Sequence, residues 1–369
     1  MQNHRQQNHF IPVPVAITML LLAVSIVGSK AQSANSPAHA SPFLADNGSS
    51  AGPHRVSIDI EVTDKPGHHI SGLRAQDFTL FDNKRASNIL DFREVDSRNS
   101  TADPVHVVIV IDMINTGFDV VAREREQLGE FFKQDGGRLA HPTSIAILTE
   151  KGIQIEKAST TDGNSLLASL NDSKSGLRMI GNSAGFYGAV DRMNWSLSQL
   201  SELAAYEATQ PGRKLAFFIS PGWPMFAWAG IDPTDKELNW TFNSIVELSN
   251  GLREAHLILY AIDPFELGRT NPFYYQSYLK GVPTANKAEY GDLALQVLAV
   301  QSGGTVQVTG MDIKGEINNV VRDTNAYYTL SFDVPPADRT NEFHDVHLQV
   351  DRPDTVVRTT TAYYANTQR

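Results

Sequence analysis

Gly181-Asn182-Ser183-Ala184-Gly185 has residue types and spacing that could build a nucleophile. Gly-x-Ser-x-Gly is the turn that lifts a serine hydroxyl above the sheet of an α/β-hydrolase, with a helix directly behind it. A serine of that kind needs a carboxylate and a base, and Asp263 followed by His344 supplies the order Ser, Asp, His. A strand should lead into the motif. Only Leu177-Arg-Met-Ile180 stands there, behind the loop-like Asp172-Ser-Lys-Ser-Gly176, and His344 falls among strands expected to belong to another domain. Glycines at the start of a helix more often serve turn geometry. A serine hydrolase using Ser183 is therefore the alternative reading.

Other reactive groups are scattered. His68 and His69 are adjacent beside a turn, and neighbours on a strand face opposite ways, as do His344 and His347. The chain has no His-Glu-x-x-His, phosphate loop or dinucleotide fingerprint. Glu124, Glu126 and Glu130 alternate with Arg123, Arg125 and Lys133, which reads as a solvated helix face. Cysteine is absent, which removes disulfides, thiolate metal sites and cysteine nucleophiles together. With 31 Lys plus Arg against 41 Asp plus Glu, the net charge of −10 argues against nucleic acid as a partner. The 369 residues are 41% hydrophobic and 20% charged, a globular balance with room for two domains.

The elements that must position any site follow an address. Residues 10–29 carry no charge and contain the run Ala16-Ile-Thr-Met-Leu-Leu-Leu-Ala-Val-Ser-Ile-Val27, and Ser29-Lys30-Ala31 offers small residues for a signal peptidase. Residues 1–31 thus read as a signal peptide and residues 32–53, rich in Ser, Ala, Asn, Gly and Pro, as a disordered spacer. A retained anchor is the alternative, since about 20 apolar residues can cross a bilayer. Cleavage leaves a mature chain without a membrane span, secreted or periplasmic.

Val56, Ile58, Ile60 and Val62 alternate with Ser57, Asp59 and Glu61, the pattern of a half-buried strand. Further strand signals run through Phe78–Phe81 and Ile89–Phe92, but roughly 45 residues of strand do not close a core alone. The far end supplies matching strands at 327–334, 346–350 and 356–363. The expected assembly is one β-sandwich from residues 54–103 and 326–366. Between them, residues 104–325 alternate strand and helix, with continuous apolar runs at Val105–Ile111, Leu215–Ile219 and Leu257–Ile262. That pattern calls for an α/β fold whose mostly parallel sheet is flanked by helices.

The order of these elements resembles a von Willebrand factor type A domain, a Rossmann-like fold. The likeness rests on Val108-Ile-Val-Ile-Asp-Met-Ile-Asn-Thr116, Pro211-Gly-Arg-Lys-Leu-Ala-Phe-Phe-Ile-Ser220, Tyr260-Ala-Ile-Asp263, Ala299-Val-Gln-Ser-Gly-Gly304, Tyr327-Tyr-Thr-Leu330 and the ending Asp351-Arg-Pro353 to Tyr363-Tyr364. It is similar to the type A-related group described from acidobacterial secreted proteins, over roughly residues 54–365. The resemblance implies a fold and a binding role, and no reaction. It also implies a divalent metal held by an Asp-x-Ser-x-Ser turn, a second-loop Thr and a third-loop Asp, a hard oxygen set suited to Mg²⁺. Here Asp112 and Thr116 match the ends of that turn, but Ile114 replaces a hydroxyl; Ser183 is the available second-loop oxygen, and Pro221 stands at the third-loop position. The expectation is no cofactor, or weakly held Mg²⁺ at Asp112, Thr116 and Ser183.

Two loops are aromatic. Pro221–Gly230 contains Trp223, Phe226 and Trp228 without a charge, and the segment from Asp263 to Pro283 contains Phe273, Tyr274 and Tyr275. Both should leave the carboxyl edge of the parallel sheet, where open α/β sheets bind ligands, and such side chains populate interface cores. These six residues are the expected contact surface for a protein partner, in a non-enzymatic binding module. A passive structural component of an envelope complex is the third reading.

Overall fold

A computed structural model describes residues 55–96, 103–156, 158–172, 185–224, 233–264, 271–308, 312–322, 324 and 326–367. Strands β1 (Arg55–Asp64), β2 (Phe78–Asp82), β3 (Arg85–Ser87) and β4 (Ile89–Asp96) come first. The alternating part follows: β5 (Val105–Asp112), α1 (Phe118–Lys133), β6 (Arg138–Thr149), β7 (Gly152–Ile155), β8 (Thr160–Asp162), α2 (Gly163–Asp172), α3 (Gly185–Ala208), β9 (Arg213–Ile219), α4 (Asp235–Glu254), β10 (Leu257–Ile262), α5 (Leu295–Gln301), β11 (Val306–Gln307) and α6 (Ile313–Val321). The chain returns through β12 (Ala326–Asp333), β13 (Glu342–Val350), β14 (Thr355–Thr359) and β15 (Ala362–Ala365).

The fold is mixed α/β. One sheet has the order β11-β10-β9-β5-β6-β7, with β8 also on β6, and the pairs from β11 through β6 are parallel. Every residue of β9 and of β10 is buried, because helices cover both faces and leave no side of the strand for water. Two four-stranded antiparallel sheets stand beside it, β14-β1-β12-β4 and β15-β13-β2-β3. Their inward residues form one hydrophobic cluster that includes Ile58, Ile60, Leu80, Leu330, Phe332, Val346 and Leu348.

Two elements differ from the simple sequence pattern. The 356–363 run is two strands, β14 on β1 and β15 on β13, because the chain crosses from one antiparallel sheet to the other. At the crossing, Thr361 donates its N–H to Gln301 and accepts from Val346 N–H. The polar side of β1 is not solvated either: Asp59, Glu61 and Thr63 are all buried. Asp59 and Glu61 face cations, from the starts of β9 and β10 in the parallel sheet and from β14 beside β1. Arg213 Nη2 lies 3.6 Å from Glu61 Oε2, Arg358 Nη2 donates to Glu61 Oε1 at 2.6 Å, and His256 Nδ1 pairs with Asp59 Oδ2 at 3.0 Å. Burial alone would push the Asp59 carboxyl up, yet His256, Arg213 and Lys214 together hold it below its ordinary value.

Candidate functional site

The chain leaves β5 for β6 on one side and reaches β9 and β10 on the other, so the order of parallel strands reverses at β5. Open α/β sheets bind ligands outside the carboxyl ends of the strands flanking such a reversal. Asp112 closes β5 and Ser220 follows β9, and both are wholly buried. Ser220 Oγ donates to Asp112 Oδ2 at 2.6 Å, and Asn115 Nδ2 donates to the same oxygen at 2.8 Å. The Oδ1 atom accepts from Ile114 N–H at 2.8 Å and Asn115 N–H at 3.0 Å.

The network extends outward. Asn115 Nδ2 also reaches Ser196 Oγ of α3 at 2.9 Å, and Ser220 Oγ accepts from Gly222 N–H at 2.9 Å. Gly222 is left-handed at φ +82°, and a Cβ there would meet Gln296 Oε1 at 3.4 Å, so the turn hugs α5. Burial pushes the Asp112 carboxyl up, and the hydrogen bonds from Ser220, Asn115 and Ile114 offset only part of that push.

The Mg²⁺ implied by the resemblance does not fit these donors. A hard divalent ion takes several oxygen ligands, preferably charged. All four acceptor directions of Asp112 are occupied by N–H and O–H donors, and Ile114 contributes a buried hydrocarbon. The residue beside Asp112 after β9 is Ser220, a neutral hydroxyl, with Pro221 behind it. Thr116 is buried with an unpartnered hydroxyl, and Ser183 lies outside the described residues. Among the described residues no group of three His, Cys, Asp or Glu could hold a metal ion.

Glu124 corrects the expectation of a solvated α1 face. It is 0% exposed and neither carboxyl oxygen has a hydrogen-bond partner, whereas Glu126 and Glu130 are exposed. Its spacing with Val121, Leu128 and Phe132 puts it on the helix stripe that faces the sheet. Burial first, then the negative charge of Asp112, push it up to about 9, so it is neutral at physiological pH.

The aromatic residues separate by exposure. Trp223 is only 3% exposed, donates its indole N–H to Leu293 O at 3.0 Å and meets Phe218 edge-on, so it is a core residue rather than contact surface. Tyr275 is buried as well, packed with Ala294 and Val297. Phe273 is 52% exposed, and Tyr274 is half-buried with its hydroxyl donating to Gln296 Oε1 at 3.1 Å. Gln296 Nε2 in turn donates to Pro221 O at 3.2 Å, which ties this segment to the Asp112 turn. Phe226 and Trp228 lie outside the described residues.

Phe118, the first residue of α1, is 46% exposed. Neither it nor Ser220, Asn115 or Gln296 stands out in the sequence as chemistry. Their signal is positional: each follows the carboxyl end of a buried strand or packs on the turn that does. Of the residues in the hydrolase alternative, Ser183 lies outside the described residues and His344 is buried against another carboxylate. Its Nδ1 pairs with Asp82 Oδ1 at 2.7 Å and its ring stacks on Tyr363, while Asp263 stands at the carboxyl end of β10.

No protein-family profile matches the chain, and no curated protein matches it. Among solved structures, the human COPII-coat protein Sec24c is similar at 8% identity with a TM-score of 0.32, covering 75% of this chain and 46% of that one. The chain therefore spans about half the length of that structure. At that level the likeness assigns no family.

Proposed function

We propose that the chain is a secreted or envelope-associated protein-binding module, in which a type A-like, Rossmann-like domain presents the carboxyl edge of its parallel sheet to a partner. The antiparallel strands from the two ends of the sequence form a β-sandwich that braces it. Residues 1–31 act as its export signal, and no helix among the described residues is long and apolar enough to cross a membrane.

One observation carries the binding reading. Phe118 and Phe273 are both about half exposed, and they sit on the segments that follow β5 and β10 at this edge. Aromatic side chains are enriched in interface cores, and the carboxyl edge of an open α/β sheet is where such sheets bind ligands. Trp223 and Tyr275, from the loops after β9 and β10, are buried beneath the same edge.

A photo-crosslinking residue placed at position 273 or 118 of the mature chain, added to native envelope extract, tests it. The expected result is a discrete crosslinked protein at both positions, absent when the probe replaces Leu90, which is equally exposed on β4. Equal crosslinking at all three positions, or none, would end the proposal.

A further inference from the structure

We infer that the Asp112 turn is a closed hydrogen-bonded bracket, in which the Ser220 hydroxyl and the Asn115 amide tie the ends of β5 and β9 to each other and to the middle of α3 without a divalent ion. The consequence for recognition rests on the binding reading above: the edge is presented in one geometry whether or not metal or chelator is present.

Three features of the turn carry this. First, each end of the bracket is chemically complementary. Asp112 offers acceptors only, and it receives two backbone N–H groups, one amide N–H and one hydroxyl. Second, the bracket is cross-linked beyond the aspartate. Asn115 also donates to Ser196, whose hydroxyl is itself donated to Arg192 O at 2.8 Å, and Ser220 receives Gly222 N–H. An ion entering at Asp112 would have to displace one of these donors in a place where Asp112, Ser196 and Ser220 are all 0% exposed, and a buried group left without its partner is costly. Third, the third-loop position that could have added a second charged ligand is Pro221, and the residue before it, Ser220, donates its hydroxyl to the aspartate.

The remaining acceptors around the turn are Asn115 Oδ1, the Thr116 hydroxyl and the Glu124 carboxyl, all unpartnered. They define the rival arrangement, an ion beside rather than on Asp112, and the experiment includes it.

The full-length chain is stripped with chelator, dialysed, and assayed for bound metal, then melted with and without Mg²⁺, Mn²⁺ or Ca²⁺. The expected result is well under one equivalent of metal per chain and a melting temperature that moves by less than about 1 °C at ~10 mM ion, since ligand linkage is small below the dissociation constant. Ser220→Ala should lower the melting temperature by the same amount in metal and in chelator. A saturable rise in the wild-type melting temperature, abolished by Asp112→Asn or by Glu124→Gln, would overturn the inference. So would recovery of Ser220→Ala by metal. Both readouts use the free chain, so either result leaves the crosslinking test of the binding face untouched.

Discussion

The Arg213 guanidinium and the Glu61 carboxylate stand 3.6 Å apart and almost wholly buried, joining the first residue of β9 to the middle of β1. Arg213 also lies 4.8 Å over the Tyr327 ring of β12. The Pro211-Gly-Arg-Lys lead-in therefore docks the parallel sheet onto the antiparallel ones. Gly212 makes it possible: it is left-handed at φ +77°, and a Cβ there would lie 2.0 Å from Pro104 O. Lys214 completes the junction by donating Nζ to Gln210 O at 2.5 Å and Ala255 O at 3.0 Å, and burial pushes its ammonium down to about 8.

Removing one partner of this junction should be far worse than removing both. Arg213→Met leaves Glu61 paired with Arg358 and without its buried partner. Breaking a buried pair from one side costs about 3–5 kcal/mol, whereas replacing both partners with apolar residues of similar volume is often near neutral. Urea unfolding of Arg213→Met, Glu61→Leu and the double variant checks this. A double variant as destabilised as either single would refute it.

Cutting the chain before β12 should unfold the strands at its other end. The β12 strand lies between β1 and β4 and pairs with both, through six and seven residues respectively. A chain ending at residue 325 leaves β1 and β4 without their shared neighbour. Trypsin should then cleave within β1 and β4 faster than it does in the full chain, and mass spectrometry reads the sites.

Glu124 makes stability fall as pH rises. Its folded value of about 9 stands above the ordinary glutamate value of 4.5. Between those two pH values the unfolded chain has released a proton that the folded chain still holds, so folding loses up to about 1.4 kcal/mol per pH unit across the window. The contribution is complete below pH 4.5 and gone once pH passes about 9. Glu124→Gln cannot ionise and should flatten the melting-temperature profile over that range, with its largest advantage over the wild type at the alkaline end. Parallel profiles for the two proteins would show that Glu124 is charged when folded.

Trp223 and Phe273 should respond oppositely to serine. Trp223→Ser empties a core position and strands the Leu293 carbonyl, and truncating a buried tryptophan costs about 3–5 kcal/mol. Phe273→Ser changes an exposed side chain, so its effect on stability should stay within about 0.5 kcal/mol. Partner crosslinking from position 118 should be lost in Phe273→Ser. Comparable destabilisation by the two changes would place Phe273 in the core.

The periodicity of the chain was enough to determine its layers. Runs such as Leu215–Ile219 and Leu257–Ile262 are apolar at every position, and only a strand covered on both faces tolerates that, so the mostly parallel sheet flanked by helices is legible from residue order. What a side chain touches from a distant part of the chain was not legible. Asp59 and Glu61 look like the wet side of an amphipathic strand, and they are buried because Arg213, about 150 residues away, faces them. Glu124 looks like one charge among many, and only the packing of α1 on the sheet decides that it is neutral. Trp223 and Phe273 have the same local character, yet one fills the core and the other reaches solvent. Asp112 and Ser220 stand 108 residues apart, and their hydrogen bond exists because parallel strands β5 and β9 pair in register and end together at one edge. Local sequence specifies local conformation and which positions are apolar; a partner for a buried polar group is a property of the assembled layers, since the same side chain is solvated or satisfied according to what is packed across from it.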